Sequence, residues 1–396
     1  MKMISFSFHS ARMGRSLTTA LFLAGLQLLL MAFPVGNLRA GGENEERNAF
    51  TWTNLESDIA GVADRTDLNL VNPWGLALNG ARNVFWVADN HTGVSTLYRP
   101  DGTPVPNPNQ PLVVIIPPPP SSPPDTTAAP TGIVFNPNQS TDFSGAFFIF
   151  ATEDGTIAAW SPANGTNAVL PVDNSGSGAV YKGLALVAKP PGGSRLYATN
   201  FHNGTVDVFN SNFKPVTTPG DFKDPNPPPV PPPSPGWAPF GIANIGGQIY
   251  VTFALQKPDR HDDQAGPGNG FVDVFDNDGH LLERLITQGQ LNSPWGLAPV
   301  PREFGEFRHK FGGFGPSVLL VGNFGDGKIN AFDISNVNNA RFLVPLKNRR
   351  GEPLDFNGLW ALVFLNNRLY FTAGLAEEEH GLFGFVRPVE KGDHNE

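Results

Sequence analysis

Acidic and amide side chains recur at one position of a repeated sequence pattern, where a short apolar strand ends and a polar turn begins. The pattern is clearest in residues 194–209 (SRLYATNFHNGTVDVF), in which apolar residues alternate on both sides of the turn. Carboxylate and amide oxygens are the ligands that a hard cation such as Ca²⁺ prefers. Four of the six aligned copies carry such a residue, and these four form a candidate metal site: Asp89, Glu153, Asn200 and Asn323.

Three members of this candidate site also have a structural interpretation. Asp and Asn accept hydrogen bonds from the backbone two residues further along the chain, so they begin many turns whatever the function. This favours a structural role for Asp89, Asn200 and Asn323. Glu153 is less readily explained as a turn former, and it is the strongest single candidate.

Histidines in the same turns form a second group of candidates. His91 and His202 each follow the candidate metal position by two residues, whereas His261 and His380 lie in longer loops rich in Asp and Glu. Imidazole together with carboxylates suits Zn²⁺, Mn²⁺ or Cu²⁺, and it also suits a general base. Histidines on a polar rim are commonly only solvated. His202 and His261 are the stronger catalytic candidates.

Lys182 is the exception in a second aligned column, at the start of the first strand of each repeat. The other members are Trp74, Thr131, Phe240, Trp295 and Trp360, and we expect the aromatic ones to pack between repeats. If the ammonium points to the channel, it should pair with Glu153 of the neighbouring repeat. A buried pair of this kind adds little stability and marks a functional site. If the side chain extends to the rim instead, it has no special role.

The repeat predicts the fold class. A small residue opens the first strand of each copy, and these residues are 51 to 65 positions apart: Gly75, Gly132, Gly183, Gly241, Gly296 and Ala361. Three strands and a weaker fourth in each copy are typical of a propeller blade. We therefore predict an all-β, six-bladed β-propeller with four-stranded blades. Its ring is closed by residues 50–55 (FTWTNL), which pair in the last blade.

The beginning of the chain predicts export. Lys2, Arg12 and Arg15 precede an apolar run over residues 17–33, and Ala40 offers a small residue for cleavage, as in a secretory signal peptide. The alternative is an uncleaved membrane anchor. We predict a signal peptide over residues 1–40, a mobile tail over 41–49, the propeller over 50–388 and a polar tail over 389–396. The mature chain then has no transmembrane span.

Composition excludes several functions. The formal net charge is −9, and an acidic surface repels phosphate backbones, so nucleic acid is not an expected partner. The chain has no Cys, which excludes disulfides, a cysteine nucleophile and thiolate metal sites. The sequence also lacks the G-x-S-x-G and H-E-x-x-H motifs. We expect a monomer.

Several segments together resemble a known family. They include NLVNPWGLAL from Asn69, LYATNFHNGTVDVF from Leu196 and VGNFGDGKINAFD from Val321. These segments resemble a family of exported bacterial six-bladed propellers of unassigned function, related to NHL-repeat and lactonase-type propellers. The resemblance covers about Trp52 to Val386. It implies the fold and export, and it brings no catalytic residues.

Two functions are favoured by the sequence, and a redox or metal-carrying protein that uses the four loop histidines ranks third. The first is a binding or scaffold module that presents the channel mouth to a small molecule, peptide or glycan, because turn chemistry is abundant and no complete catalytic set is present. The second is a metal-dependent, lactonase-like hydrolase in which the candidate metal site holds Ca²⁺ or another divalent ion and a loop His or Asp acts as the base. Lactonase-type propellers hold their metal with a similar mixture of Glu, Asp and Asn at the channel mouth.

Overall fold

The computed structural model describes residues 49–189, 193–305, 307, 317–336 and 340–390. The predicted signal peptide, most of the predicted N-terminal tail and residues 391–396 lie outside this part of the chain. Ala49, the last residue of the predicted tail, is buried and forms a bridge with Lys347. Among the described residues, no helix has both the length and the apolar character needed to cross a membrane.

The regular secondary structure of the described residues is almost entirely β-strand. The chain begins with β1 (Phe50–Ser57) and β2 (Arg65–Thr66), and the blades then follow in order. Blade 1 contains β3 (Pro73–Asn79), β4 (Val84–Asp89), β5 (Val94–Tyr98), a hairpin of β6 (Pro106–Asn107) and β7 (Gln110–Pro111), and β8 (Val114–Ile115). Blade 2 contains β9 (Pro130–Phe135), β10 (Phe148–Thr152), β11 (Thr156–Trp160) and β12 (Val169–Asp173). Blade 3 contains β13 (Tyr181–Val187), β14 (Arg195–Asn200) and β15 (Thr205–Asn210).

The second half of the ring repeats this order. Blade 4 contains β16 (Trp237–Ile245), β17 (Gln248–Leu255), β18 (Phe271–Phe275) and β19 (Leu281–Thr287). Blade 5 contains β20 (Pro294–Pro299), β21 (Val318–Asn323), β22 (Ile329–Asp333) and β23 (Arg341–Pro345), and blade 6 contains β24 (Leu359–Leu365), β25 (Arg368–Leu375) and β26 (His380–Pro388). In the part of the chain that the structure describes, short 3₁₀ turns lie in loops at Phe143–Gly145, Pro162–Asn164 and Ser175–Ser177.

The first strands of the blades contact one another in a closed ring, from β3 through β9, β13, β16, β20 and β24 back to β3. This arrangement confirms the predicted six-bladed propeller. The predicted closure is also confirmed, because β1 pairs antiparallel with β26 from Phe50↔Pro388 to Ser57↔Leu382. The two ends of the propeller therefore share the sheet of blade 6, which leaves no open seam in the ring.

Blade 3 departs from the four-stranded pattern. After β15 the chain forms an isolated bridge between Phe209 and Pro215 and then enters the proline-rich segment at residues 225–235. Proline lacks the N–H that a strand needs for its ladder, so this segment cannot add a regular fourth strand. A hydrogen bond holds this segment to β16 instead, since the Trp237 indole N–H donates to the carbonyl of Pro228 at 2.7 Å.

Glycines open the first strands because neighbouring blades approach closely there. A β-carbon added to Gly75 would lie 2.3 Å from the carbonyl oxygen of Thr131, and one added to Gly241 would lie 2.1 Å from that of Trp295. Each of these neighbours belongs to the first strand of the next blade. The small residues of the sequence pattern therefore report backbone contact around the axis.

Replacing Gly241 by alanine should destabilise the propeller by about 1–3 kcal/mol, because two first strands must separate to admit the methyl group. The matched control is Gly80→Ala, since a β-carbon at Gly80 would meet nothing within 4 Å. We expect this control to change the unfolding free energy by less than about 0.5 kcal/mol. Urea denaturation of both variants measures the difference, and equal stabilities would contradict the close-approach explanation.

Candidate functional site

All first strands begin, and all second strands end, on one face of the ring. The antiparallel registers require this, since Pro73 pairs with Asp89, Tyr181 with Asn200 and Pro294 with Asn323. We call it the mouth face. It contains the connection into each first strand and the turn between the second and third strands of each blade.

Aromatic side chains pack across the axis at the mouth face. Trp360 stacks on Trp74 with ring centroids 3.5 Å apart and on Phe324 at 4.1 Å, and Trp295 meets both tryptophans nearly edge-on. We call this group the aromatic plug, and its members come from five blades: Trp74, Phe201, Phe240, Trp295, Phe324 and Trp360. The first-strand aromatics that we expected between blades thus meet at the axis.

Lys182 enters the aromatic plug and forms the predicted ion pair with Glu153. Its side chain is only 2% exposed, its ammonium contacts Glu153 Oε1, and it lies 3.7 Å from Asp262 Oδ1. The same ammonium lies 5.0 Å from the ring centroid of Trp74 and 5.9 Å from that of Phe201. The cation is therefore held by carboxylates on one side and by aromatic faces on the other.

A chain of hydrogen bonds connects this ion pair to blade 6. The Asn90 amide donates to Glu153 Oε2 at 2.9 Å, and the Asn72 amide donates to Asn90 Oδ1 at 3.4 Å and to Glu378 Oε2 at 2.7 Å. Asn72 Oδ1 accepts from the indole N–H of Trp360 at 3.2 Å. Asn72 and Asn90 are both buried. The two carboxylates are thus positioned by the same pair of amides.

The backbone that carries Glu378 is unusual. Ala376, Glu377 and Glu378 have consecutive positive φ angles of 52°, 58° and 71°, which non-glycine residues seldom adopt. Gly374 stands just before this turn, and a β-carbon there would lie 2.3 Å from Asn72 Oδ1. The strained turn and the glycine together leave room for the contact between Glu378 and Asn72.

The loop at residues 256–270, between β17 and β18, brings the third part of the site. His261 Nδ1 lies 3.0 Å from Asp262 Oδ1, and both side chains are about half exposed. Glu153, His261 and Asp262 each have one potential ligand atom within 4.8 Å of the others. These three side chains, all in the described part of the chain, are therefore close enough to bind one metal ion together.

The surroundings of Glu153 and Glu378 at the mouth face shift the pKa values of these two acids in opposite directions. Burial alone would raise the pKa of Glu153, but the Lys182 charge and the hydrogen bonds from Lys182 and Asn90 bring it below the ordinary value. Burial raises the pKa of Glu378 to about 7, and the Asn72 hydrogen bond opposes this increase. Burial tends to lower the pKa of Lys182, yet Glu153 raises it, so the ammonium stays protonated and is no amine nucleophile. Two carboxylates in one site thus have different charges near neutral pH.

The other members of the predicted metal site bond within their own blades. Asp89 Oδ2 accepts the backbone N–H of Thr96, Asn200 donates to Asp207, and Asn323 donates to Asp326 and to the carbonyl of Gln290. Of the four predicted ligands, only Glu153 lies in the group with His261 and Asp262. These bonds give the three side chains a structural role, but none of them is the predicted bond from the backbone two residues further along the chain.

The remaining histidines do not join the group formed by His261. His91 is exposed, and His380 Nδ1 lies 2.6 Å from Asp58 Oδ2 at the edge of blade 6. His202 is partly exposed, its ring lies near Gly178, and its carbonyl accepts a hydrogen bond from Gln256. Among the catalytic candidates from the sequence, the structure thus brings together Lys182 and His261.

Sequence reasoning missed the residues that link the blades at the mouth. Asn72 and Ser293 occupy equivalent places in the segments NPWG (72–75) and SPWG (293–296), and both have positive φ angles. This repeated polar-Pro-Trp-Gly pattern was the signal that could have found them. The Asp263 carboxyl and the Ser293 hydroxyl are buried and close enough to interact, although no well-formed hydrogen bond joins them, and the Trp295 indole N–H is buried with no hydrogen-bond partner among the described residues.

The fold and the mouth define this chain as a six-bladed β-propeller with a buried ionic site on its axis. No protein-family model matches the chain. It is 31% identical over 359 residues to the uncharacterized protein R648 of Acanthamoeba polyphaga mimivirus, covering 86% of this chain and 81% of that protein. It is 30% identical over 360 residues to the uncharacterized protein L690 of the same virus, covering 85% and 86%. The chain belongs to one family with these two proteins.

The chain is also similar, at low sequence identity, to solved structures. Streptogramin B lyase is 12% identical with a TM-score of 0.43, covering 85% of this chain and 97% of that chain. The WD40 propeller domain of Doa1 is 9% identical with a TM-score of 0.44, covering 78% and 77%. Likeness at this level says nothing about the ligand or reaction of this chain.

Proposed function

We propose that this chain is an exported propeller that binds a small polar ligand at its mouth face. The observation that carries the proposal is the buried Lys182–Glu153 ion pair on the axis. An ion pair taken out of water is a poor stability device, because desolvation offsets most of its attraction. Its position coincides with the mouth of a closed β architecture, where ligand sites are common. The proposal of export depends on the signal-peptide pattern in residues 1–40. It is tested by expressing the chain in a host that exports it and determining the N-terminal residue of the recovered protein.

The chemistry of the mouth favours a neutral ligand rich in hydroxyl groups, such as a saccharide. Lys182 is already neutralised by Glu153 and Asp262, so this buried cation is not free to bind an anionic ligand. Asp263 Oδ2 is an acceptor, the Trp295 N–H is a donor, and Ser293 Oγ can act as either. A hydroxyl group both donates and accepts, so it can bind either the Asp263–Ser293 pair or the indole N–H of Trp295. Because these atoms are buried, the ligand requires the loop at residues 256–270 to move away from the axis.

Binding is tested by thermal shift and then by calorimetry, with neutral mono- and disaccharides compared with uronic acids, diamines and short peptides. A ligand of the folded chain raises its melting temperature. We expect a neutral saccharide to do so, and Asp263→Asn to weaken its binding by about tenfold or more, because a buried carboxyl partner of the ligand is replaced by an amide. The control Asp276→Asn changes an acid in the β18–β19 turn, at the opposite end of blade 4.

These measurements test the class of ligand and the location of its binding site independently. If only peptides or charged ligands bind and Asp263→Asn weakens them, the mouth is the site and the saccharide assignment is wrong. If no member of the set binds, or if Asp263→Asn and Asp276→Asn bind as the unmodified chain does, ligand binding at this face is contradicted.

A metal-dependent hydrolase is the second candidate, and one observation favours it. Glu153, His261 and Asp262 supply two oxygens and one nitrogen, a donor set that suits Zn²⁺ or Mn²⁺. However, the donors do not fit a divalent ion in the arrangement described, since the Lys182 ammonium already binds two of the three. We therefore rank ligand binding first.

A further inference from the structure

We propose that the Lys182 ammonium is the resident cation of the mouth and takes the place that a divalent metal ion would otherwise occupy between Glu153, His261 and Asp262. This inference concerns how the site is charged, and it stands whether or not the ligand is a saccharide. It also predicts a latent metal site that appears when Lys182 is removed.

The first step is the identity of the donors. The three side chains come from the β10–β11 turn of blade 2 and the β17–β18 loop of blade 4, which are far apart in sequence. Their potential ligand atoms converge within 4.8 Å. The two carboxylates at this separation repel each other unless a positive charge lies near them. His261 contacts Asp262 through Nδ1 at 3.0 Å, so Glu153 is the member of the group that still needs a cation.

The second step is that the chain itself supplies this cation. Lys182, on β13 of blade 3, places its ammonium in contact with Glu153 Oε1 and 3.7 Å from Asp262 Oδ1, which are the same two carboxylates. The buried Asp263 carboxyl is also within electrostatic reach of the ammonium, because burial raises the pKa of Asp263 and the Lys182 charge opposes this increase. A divalent ion at this point would meet a unit positive charge at contact distance, which lowers its affinity by orders of magnitude.

The third step is the remaining environment of the ammonium. Its other neighbours are the faces of Trp74 at 5.0 Å and Phe201 at 5.9 Å. Aromatic faces attract an organic cation, but they offer no lone pair that could complete the coordination of a metal ion. The site is thus built for an ammonium group, and the covalent tether makes this cation permanent. The mouth should keep its charge balance whatever the metal concentration outside.

The test measures metal binding by the full chain and by two variants, with Zn²⁺ and Mn²⁺ as the probes after treatment with EDTA. We expect the unmodified chain and Glu153→Gln to bind these ions equally weakly, because neither ion enters the mouth. Lys182→Met should gain one equivalent of metal with at least about tenfold higher affinity. The double variant Lys182→Met/Glu153→Gln is the matched control, and it should lose most of this gain.

Two results would overturn the proposal. One is a stoichiometric metal in the unmodified chain that Glu153→Gln removes, since the ion would then share the site with Lys182. The other is a folded Lys182→Met variant with no gain in metal affinity. If Lys182→Met does not fold, the comparison of the unmodified chain with Glu153→Gln still decides the first point. Failure of the saccharide experiment leaves these outcomes unchanged, because they involve no organic ligand.

Discussion

Lys182→Met is expected to lower the unfolding free energy by about 3–5 kcal/mol at neutral pH, although methionine fits the same space among the aromatic rings. The loss has an electrostatic cause. Glu153 is 13% exposed in its side chain, and without the ammonium it keeps only the hydrogen bond from Asn90 at 2.9 Å. A buried carboxylate without its counter-charge destabilises the folded state far more than the intact pair stabilises it.

Urea denaturation in the presence of EDTA measures this effect, since a trace metal ion could otherwise replace the missing charge. The matched variant is Lys182→Met/Glu153→Gln, which removes both charges and leaves the shapes nearly unchanged. We expect it to be more stable than Lys182→Met alone, because no unpaired charge remains. A double variant as unstable as the single one would show that Lys182 contributes through its packing in the aromatic plug, and the ion pair would lose its energetic role.

Glu56→Gln should have the second largest effect, in the opposite direction. Glu56 is fully buried on β1, and both of its carboxylate oxygens lack a hydrogen-bond partner in the described residues. Burial raises its pKa from 4.5 to about 8, with Arg65 opposing and Asp67 and Asp64 adding to the increase. The folded state therefore keeps the proton that the unfolded chain has already released at neutral pH.

The sign of the pH dependence follows from these two values. Below pH 4.5 the Glu56 carboxyl is protonated in both the folded and the unfolded state, so its ionisation does not change the unfolding free energy. Between pH 4.5 and about 8 only the folded state holds the proton, so stability falls as pH rises, by about 1.4 kcal/mol for each pH unit. Above pH 8 the penalty is complete and amounts to several kcal/mol. Glutamine does not titrate, so Glu56→Gln should be close to the unmodified chain at pH 4.5 and clearly more stable at pH 8.

Thermal and urea unfolding at pH 4.5, 6 and 8 test this prediction. Other buried acids, among them Asp89 and Asp273, also have raised pKa values, so the unmodified chain has a pH dependence of its own. The difference between variant and unmodified chain isolates Glu56. Glu352→Gln, at an exposed acid of the β23–β24 connection, is the control. A difference that does not grow between pH 4.5 and 8 would mean that Glu56 is ionised in the folded state.

The Lys182–Glu153 contact shows how far the sequence can reach into the site. It could be predicted because Lys182 stands where the other repeats carry an aromatic residue or threonine, and Glu153 stands where they carry turn residues. Both positions lie in aligned columns, and columns of a repeat map onto one ring of the fold. Two residues that depart from their columns in neighbouring blades can therefore be predicted, from the sequence alone, to lie close in space.

The aligned column at the ends of the second strands shows why this reasoning then fails. Asp89, Asn200 and Asn323 occupy the same place as Glu153, but their polar atoms bond within their own hairpins or to the adjacent loop. A position in the repeat determines the face of the ring, and it does not determine the direction in which a side chain points. That direction depends on whether a partner within the blade is nearer than the axis.

The sequence alone was sufficient for the architecture, since alternation, turns and the spacing of the small first-strand residues act over short distances and recur six times. Ring closure through β1 followed from the same pattern. The tertiary structure decided which side chains meet at the mouth face. Asn72 meets Glu378 across 306 positions of the chain, and residues of the aromatic plug from five blades come together only when the ring is complete. Irregular loops supply these contacts, and their conformations depend on neighbouring blades, so a local pattern such as NPWG can single out Asn72 but cannot identify its partner Glu378.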